Sequence, residues 1–185
     1  MKIILGSASP RRQSLLKELG YSFEVITPDI EEVVEPNVPI EEVAVDLATK
    51  KALHLLPNLA KENTLICADT VVVFEQTILG KPANREQAVE YLTMLSGNEH
   101  RVITGVAVMS LEKSIQFSDI TQVRFKILSS DEIHHYVDHF KPYDKAGAYG
   151  IQDWIGLIGV ESIKGSYTNV MGLPTQLLNE KLKSF

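Results

Sequence analysis

Cysteine, long apolar runs and an excess of positive charge are all missing or scarce in this sequence of 185 residues. The single cysteine, Cys67, excludes an internal disulfide, and its apolar neighbours predict an inert core thiol in a reducing compartment. No run approaches the roughly 18 apolar residues of a membrane-spanning helix, and the first apolar stretch is too short for a signal peptide. We therefore expect a cytoplasmic protein without membrane contact.

The charge balance disfavours a broad nucleic-acid surface. Lys and Arg number 18 against 24 Asp and Glu, which leaves a formal net charge of −6. An anionic ligand must therefore be small and held by a local cluster of bases. The sequence also contains no Walker motif, no G-x-G-x-x-G and no G-x-S-x-G. These absences disfavour P-loop enzymes, kinases, dinucleotide dehydrogenases and serine hydrolases.

The length and the ordinary composition predict one domain over residues 1 to 185. At this length folding buries roughly 70% of the unfolded surface, so a core forms without disulfides or a structural metal. Strands are predicted at residues 2 to 6, 21 to 28, 64 to 74, 100 to 110, 114 to 128 and 154 to 163. Helices are predicted at residues 10 to 19, 39 to 56, 85 to 97, 129 to 139 and 173 to 184. Because strands and helices do not alternate strictly, we expect an α/β fold with a mixed sheet.

The segment GSASPRR, residues 6 to 12, opens the first predicted helix. A first helical turn offers unpaired N–H groups, Ser7 and Ser9 add hydroxyls, and Arg11 and Arg12 add guanidinium groups. A hydrogen bond to a charged group contributes about 1.5 to 3 kcal/mol, against about 0.3 to 1 kcal/mol for a helix end, so the arginines would dominate phosphate binding. A simple helix cap at Ser9 with solvated arginines is the alternative.

Asp69 interrupts the predicted central strand. A carboxylate there is costly unless it is paired, bound to a metal or placed at the edge of a cleft, which favours a functional role over a structural ion pair. Thr70 lies on the opposite strand face unless the strand bulges. A hairpin after the strand would bring Lys81 of the GKP turn back towards Asp69. Lys50 and Lys51 lie about 100° apart on a helix, so at most one faces a site.

Two further segments contain candidate ligand-binding residues. Residues 144 to 153, DKAGAYGIQD, form a predicted loop whose small residues permit close backbone approach, and Gln152 offers a base edge both a donor and an acceptor. A plain flexible loop is the alternative. His135 and His139 have a spacing that can bind zinc, but without a fuller ligand motif a solvated helix face is the better interpretation.

The ordered set SASPRR, EE, KKA, ADTVV, GKP, DKAGAYGIQ and GSYTNVMGLP spans nearly the whole chain and resembles the Maf family of nucleoside-triphosphate pyrophosphatases. The resemblance implies an α/β fold like that of inosine-triphosphate pyrophosphatases, with a long, twisted, mixed central sheet, flanking helices and two lobes around a cleft. It implies hydrolysis of a nucleoside triphosphate to the monophosphate and pyrophosphate with a divalent cation, Mg²⁺ or Mn²⁺. It also implies a homodimer.

The resemblance further implies a role for each matching residue. Asp69 would be the catalytic carboxylate, as a general base or as a metal ligand, and Glu32 would help to hold the metal. The implied phosphate-binding residues are Ser7, Arg11, Arg12, Lys51 and Lys81. The AYGIQ segment is similar to that of the branch acting on dTTP and UTP, with Arg12, Thr70 and Gln152 as specificity residues. Asp153 and Trp154 depart from the glycine expected after the glutamine.

The main hypothesis is therefore a house-cleaning enzyme that removes dTTP, UTP and modified pyrimidine nucleotides, with a link to cell-division arrest. One alternative is a nucleotide-binding regulatory protein of septum formation with little turnover. The intact ADT segment and two lysines count against it, because a sensor does not need a carboxylate that repels phosphate. The other alternative is a pyrophosphatase for modified purine nucleotides.

Overall fold

The computed structural model describes residues 2–185 and contains a seven-stranded sheet with seven α-helices among those residues. The strands are β1 Lys2–Leu5, β2 Phe23–Val25, β3 Asn63–Phe74, β4 Thr77–Leu79, β5 Glu99–Met109, β6 Ser114–Phe125 and β7 Val160–Lys164. The helices are α1 Pro10–Glu18, α2 Val43–Leu55, α3 Arg85–Leu95, α4 Ser130–Phe140, α5 Trp154–Gly159, α6 Tyr167–Met171 and α7 Thr175–Ser184.

Parallel and antiparallel pairing are combined in the sheet. Its strand order is β2-β1-β3-β5-β6-β7, and β4 pairs with β3 outside this path. Strand β1 lies parallel to both β2 and β3, whereas β4 is antiparallel to β3 and β7 is antiparallel to β6. The predicted α/β class with a mixed sheet is therefore confirmed.

The chain divides into two compact units. The first comprises the described part of Met1–Thr70 together with Thr104–Asp119 and Gly172–Phe185, and the second comprises Val71–Ile103 and Ile120–Met171. The single domain over residues 1 to 185 stays a prediction. None of the helices in residues 2–185 is long and apolar enough to span a membrane.

In the first unit, α2 packs unusually close to β5. Ala44, Ala48 and Ala52 are fully buried on one side of the helix. A Cβ placed on Gly105 of β5 would lie 2.2 Å from the carbonyl carbon of Ala44, so glycine is needed for this approach. Cys67 is buried in the same core, where burial raises the pKa of its thiol to about 12, as expected for an inert thiol.

In the second unit, α4 begins with a capping box, formed by Ser129 and Glu132. The Ser129 hydroxyl accepts from the Glu132 N–H at 3.2 Å, and the Glu132 carboxylate accepts from the Ser129 N–H at 2.8 Å. Helix α5 and strand β7 correct the predicted strand at 154 to 163, whose first six residues are helical. Leu157 of this helix is 80% exposed, which a buried strand would not permit.

Candidate functional site

Asp69 lies where its neighbouring strand has ended. Strands β1 and β3 run parallel, with Leu5 opposite Ile66, and the Gly6 N–H still donates to the Ile66 carbonyl at 2.8 Å. Strand β1 then gives way to the turn before α1, while β3 continues through Asp69. Asp69 therefore lies beside a strand end, where ligands of open α/β sheets typically bind, and its buried charge is compensated by an ion pair with Lys51.

Two carboxylates share the ammonium of Lys51. Its side chain is only 8% exposed, and Nζ contacts Oδ1 of Asp69 and, at 2.6 Å, Oε1 of Glu32. Lys50 instead pairs with Asp46 at 2.8 Å on the exposed side of α2, so only one lysine of the pair faces Asp69. An ammonium has three donors, and the carboxylates use two of them, which leaves one for a phosphate oxygen.

Arg12 is held by three neutral oxygens from three separate segments of the first unit. Its Nε donates to the Gly172 carbonyl at 2.8 Å, Nη2 to the Thr70 hydroxyl at 3.0 Å and Nη1 to the Ser7 hydroxyl at 3.3 Å. The side chain keeps some solvent exposure, yet the atoms packed around it lower the pKa of its guanidinium by desolvation. Among the described residues, no carboxylate forms an ion pair with Arg12, so an anionic ligand would compensate its charge.

Residues of the first helical turn combine a cap with a basic pair. The Ser9 hydroxyl accepts from the Arg12 N–H at 3.5 Å, so the predicted N-cap is confirmed. Ser7 is buried, and its hydroxyl accepts from the Ser9 N–H at 3.2 Å. Arg11 follows Pro10 in α1, and its charge contributes to the lowered pKa of the Arg12 guanidinium. The cap is therefore present, Arg12 is hydrogen-bonded within the protein rather than simply solvated, and phosphate binding by this segment stays a prediction.

Sequence reasoning missed two residues that position Arg12. Thr104 is fully buried, and its hydroxyl lies 2.9 Å from that of Thr70. Gly172 adopts a φ of 114°, in the region that favours glycine, and presents its carbonyl to Arg12. Gly172 belongs to the GSYTNVMGLP segment, but a contact through a backbone carbonyl leaves no side-chain signal in the sequence. Nothing in the pattern around Thr104 indicated its role.

The second unit contains Lys81 and Gln152 and brings their segments together. The predicted hairpin is present, with Val72 of β3 opposite Leu79 of β4 just before the GKP turn. The N–H of Gly147, in the loop that includes Gln152, donates to the Gly80 carbonyl at 3.1 Å. The two segments predicted to contact a nucleotide in this part of the chain therefore lie side by side.

Gln152 has a buried acceptor without a partner. Its Oε1 is inaccessible to solvent and accepts no hydrogen bond from any residue in the described range 2–185. Buried carbonyl oxygens are almost always hydrogen-bonded in folded proteins. The side-chain carbonyl of Gln152 therefore lacks one hydrogen bond in this structure, and an N–H donor that reaches it would supply that bond.

The described residues contain no cluster of three or more His, Cys, Asp or Glu side chains arranged for a metal ion. His135 and His139 stack with ring centroids 4.3 Å apart, and Nδ1 of His139 bonds the His135 carbonyl, in agreement with the interpretation of a helix face. The carboxylates of Glu32 and Asp69, which meet at Lys51, remain as the acidic pair. Two carboxylates suit a Mg²⁺ ion that takes its other ligands from phosphate and water.

Comparisons with known proteins agree over the whole chain. The family model described as Maf-like protein matches residues 2–185. The dTTP/UTP pyrophosphatase of Bacteroides fragilis strain YCH46 is 50% identical over 183 residues, which cover 98% of this chain and 95% of that protein. The enzyme of the same description from Parabacteroides distasonis is 48% identical over 185 residues, covering 100% and 96%. The solved structure of the Staphylococcus aureus Ham1 protein covers 100% of this chain and 99% of its own, with a TM-score of 0.53 and 18% identity, a likeness of fold alone.

Proposed function

Because the chain belongs to the Maf family, we propose that it hydrolyses dTTP and UTP to the nucleoside monophosphate and pyrophosphate. Relatives at 48% to 50% identity are named dTTP/UTP pyrophosphatases. The observation that supports the reaction best is the cluster in the first unit, where Asp69 and Glu32 share Lys51 near the guanidinium of Arg12. Removal of surplus or modified pyrimidine nucleotides is the corresponding cellular role.

The charges of the cluster suit attack on a triphosphate. A triphosphate brings about four negative charges, and cleavage next to the α-phosphorus adds charge to the departing pyrophosphate, so catalysis depends on positioning and electrostatic stabilisation. We assign this stabilisation to Arg11, Arg12, Lys51 and Lys81, with Ser7 donating a hydroxyl hydrogen bond. Lys51 in particular can exchange a carboxylate oxygen for a phosphate oxygen without leaving its buried position.

Asp69 is assigned to the attacking water. Its ionised carboxylate orients the water and accepts its proton as the oxygen attacks the α-phosphorus. With Glu32 it would also hold a divalent cation such as Mg²⁺ or Mn²⁺. When bound, the cation neutralises phosphate charge and makes water more acidic. Both roles require the negative charge of Asp69, so the neutral isostere asparagine should fail in either.

Base preference is assigned to Gln152, together with Arg12 and Thr70. Thymine and uracil present an N3–H donor between two carbonyl acceptors, which matches an amide whose Oε1 lacks a donor and whose Nε2 can donate. Cytosine has an unprotonated N3, which would place an acceptor against this Oε1. The unpartnered amide oxygen therefore favours thymine and uracil over cytosine.

The two alternatives make different predictions. A regulatory protein of septum formation would bind nucleotides without releasing pyrophosphate. A pyrophosphatase for modified purine nucleotides would prefer purine triphosphates in a substrate panel. The identity to relatives named dTTP/UTP pyrophosphatases favours the first hypothesis over both. A cytoplasmic location and a homodimer remain predictions.

The decisive experiment measures pyrophosphate release from dTTP, UTP, dCTP and purine triphosphates with Mg²⁺ or Mn²⁺, for the wild type and Asp69→Asn. We expect a preference for dTTP and UTP and a loss of about a thousandfold in kcat for Asp69→Asn. Asp46→Asn, which removes a half-buried carboxylate of α2 that pairs with Lys50, is the matched control and should retain activity. Undiminished release by Asp69→Asn would refute the catalytic assignment, and release of orthophosphate would refute the reaction class.

A further inference from the structure

Asp153 stands at the N-terminus of α5, yet its carboxylate does not cap that helix. It is the N-cap residue by position, and its side chain makes no capping hydrogen bond. Oδ2 instead accepts a hydrogen bond from the hydroxyl of Tyr136 at 2.8 Å. The Asp153 carboxylate therefore binds a side chain of α4 and not the backbone of its own helix. This choice of partner indicates a positioning role.

The hydroxyl of Tyr136 also binds Gly150, which precedes Gln152 in the turn formed by residues 150 to 153. The hydroxyl of Tyr136 accepts from the Gly150 N–H at 3.1 Å, and the Asp153 N–H donates to the Gly150 carbonyl at 3.0 Å. Both flanks of Gln152 are thus joined at one oxygen atom. The spacing is tight as well, since a Cβ on Gly150 would lie 2.6 Å from Oδ2 of Asp153. The turn therefore has little freedom to change its shape.

Tyr136, which anchors this turn, is fixed in the core, and its phenol stays protonated. Tyr136 is fully buried in the core of the second unit, and burial raises the pKa of its phenol, so it remains a donor across the physiological range. The ammonium of Lys145 lies 3.6 Å from Oδ2 of Asp153 and compensates its charge. The network thus runs from the Gly150 N–H through Tyr136 to Asp153 and Lys145.

We propose that Tyr136 and Asp153 are positioning residues that hold the amide of Gln152 in the orientation that selects thymine and uracil. This inference rests on the proposed function. A mobile turn would let the Gln152 carbonyl rotate towards water, and its selectivity for an N3–H donor would be lost. The departure of Asp153 from the glycine expected after glutamine is then part of how this chain sets its base preference.

The test compares Tyr136→Phe, which removes only the hydroxyl, with Tyr143→Phe, which removes an exposed phenol of the same unit. For Tyr136→Phe we expect the ratio of kcat/KM for dTTP to that for dCTP to fall about tenfold, mainly through a higher KM for dTTP. Tyr143→Phe should leave the ratio unchanged. In a Gln152→Ala background, Tyr136→Phe should cause no further loss of selectivity, because both changes act through the same amide.

Variants of Asp153, whose side chain is partly exposed, provide a second test. Asp153→Ala should lower the selectivity ratio like Tyr136→Phe, whereas Asp153→Asn, which still accepts from the phenol, should recover most of it. An unchanged ratio in Tyr136→Phe and Asp153→Ala, or additive losses in the Gln152→Ala background, would overturn the proposal.

Amide hydrogen exchange separates this inference from the proposed function, since it needs no turnover. Tyr136→Phe and Asp153→Ala should accelerate exchange of the Gly150 and Asp153 amides relative to Tyr143→Phe. Unchanged exchange would overturn the positioning role even in an active enzyme. Absence of pyrophosphate release from the wild type would instead refute the proposed function, whatever the exchange rates.

Discussion

The buried imidazole of His100 should make the protein measurably less stable in mild acid. His100 is 2% exposed, its Nε2 lies 2.7 Å from the hydroxyl of Tyr149, and its ring meets Phe125 and Tyr149 edge to face. Burial lowers the pKa of this imidazole from 6.5 to about 3, so the folded protein keeps it neutral. Its Nδ1 has no hydrogen-bond partner within residues 2–185.

The sign and size of the effect follow from proton binding. Well above pH 6.5 neither state protonates His100 appreciably, and the full stability is present. As the pH falls below that value, the unfolded chain binds a proton that the folded protein refuses until about pH 3, so stability is lost throughout this interval. At about pH 5 the solution lies about 1.5 pH units below the pKa of the unfolded imidazole. This corresponds to a loss of about 2 kcal/mol in the free energy of unfolding.

Urea unfolding near pH 7 and near pH 5 measures this loss when the wild type is compared with His100→Gln, which removes the titrating ring. Between the two conditions, the wild type should lose about 2 kcal/mol more than the variant, or about 1 M in the urea midpoint. His54→Gln, at an exposed position of α2, should follow the wild type. Equal pH dependence of the wild type and His100→Gln would show that the imidazole is not held neutral and would refute the reasoning.

The remaining predictions concern the arginine pair and the contact between α2 and β5. Arg11→Ala should lower kcat/KM for all triphosphates alike. Arg12→Ala also removes the bond to Thr70 and should change base preference as well. Identical losses for the two variants across a substrate panel would contradict this difference. Gly105→Ala should lower the free energy of unfolding by about 3 kcal/mol in urea titrations, because the new Cβ meets helix backbone. Gly80→Ala, where a Cβ meets nothing within 4 Å, is its control, and equal stability of the two variants would count against the close packing.

The sequence predicted those elements whose signals are local. The capping box at Ser129 and Glu132 marked the start of α4 because both hydrogen bonds form within four residues. The strand predicted at residues 154 to 163 is present only from residue 160 onwards, in β7. Its first six residues are helical, and they were predicted wrongly because the apolar run WIGLIG resembles a buried strand. Helix α6 was not predicted. Ser166 accepts from the Asn169 N–H at 3.2 Å, but a capping residue alone does not indicate a helix when no apolar periodicity follows it.

Residues of the candidate site were predictable where a polar side chain interrupts an apolar pattern. They were not predictable where a backbone contact fixes the geometry. Asp69 was identified because a carboxylate conflicts with an apolar strand. The periodicity of α2 indicated that one of Lys50 and Lys51 would face the site, but the choice depends on the packing of α2 against β5. The contact of Arg12 with Gly172 depends on a carbonyl, which every residue possesses, so no sequence pattern distinguishes it.

The bond between Arg12 and Gly172 has a consequence for biosynthesis, since its partners lie 160 positions apart. A nascent chain emerging from the ribosome presents the arginine long before the carbonyl that orients it has been translated. Tyr21 and Asn179, whose side chains bond at 2.9 Å, are similarly separated. Contacts between such distant residues close slowly because the intervening loop must be ordered first. Arg12 therefore acquires its observed orientation only once residue 172 has been synthesised, and incomplete chains stopped before residue 172 lack the oriented guanidinium.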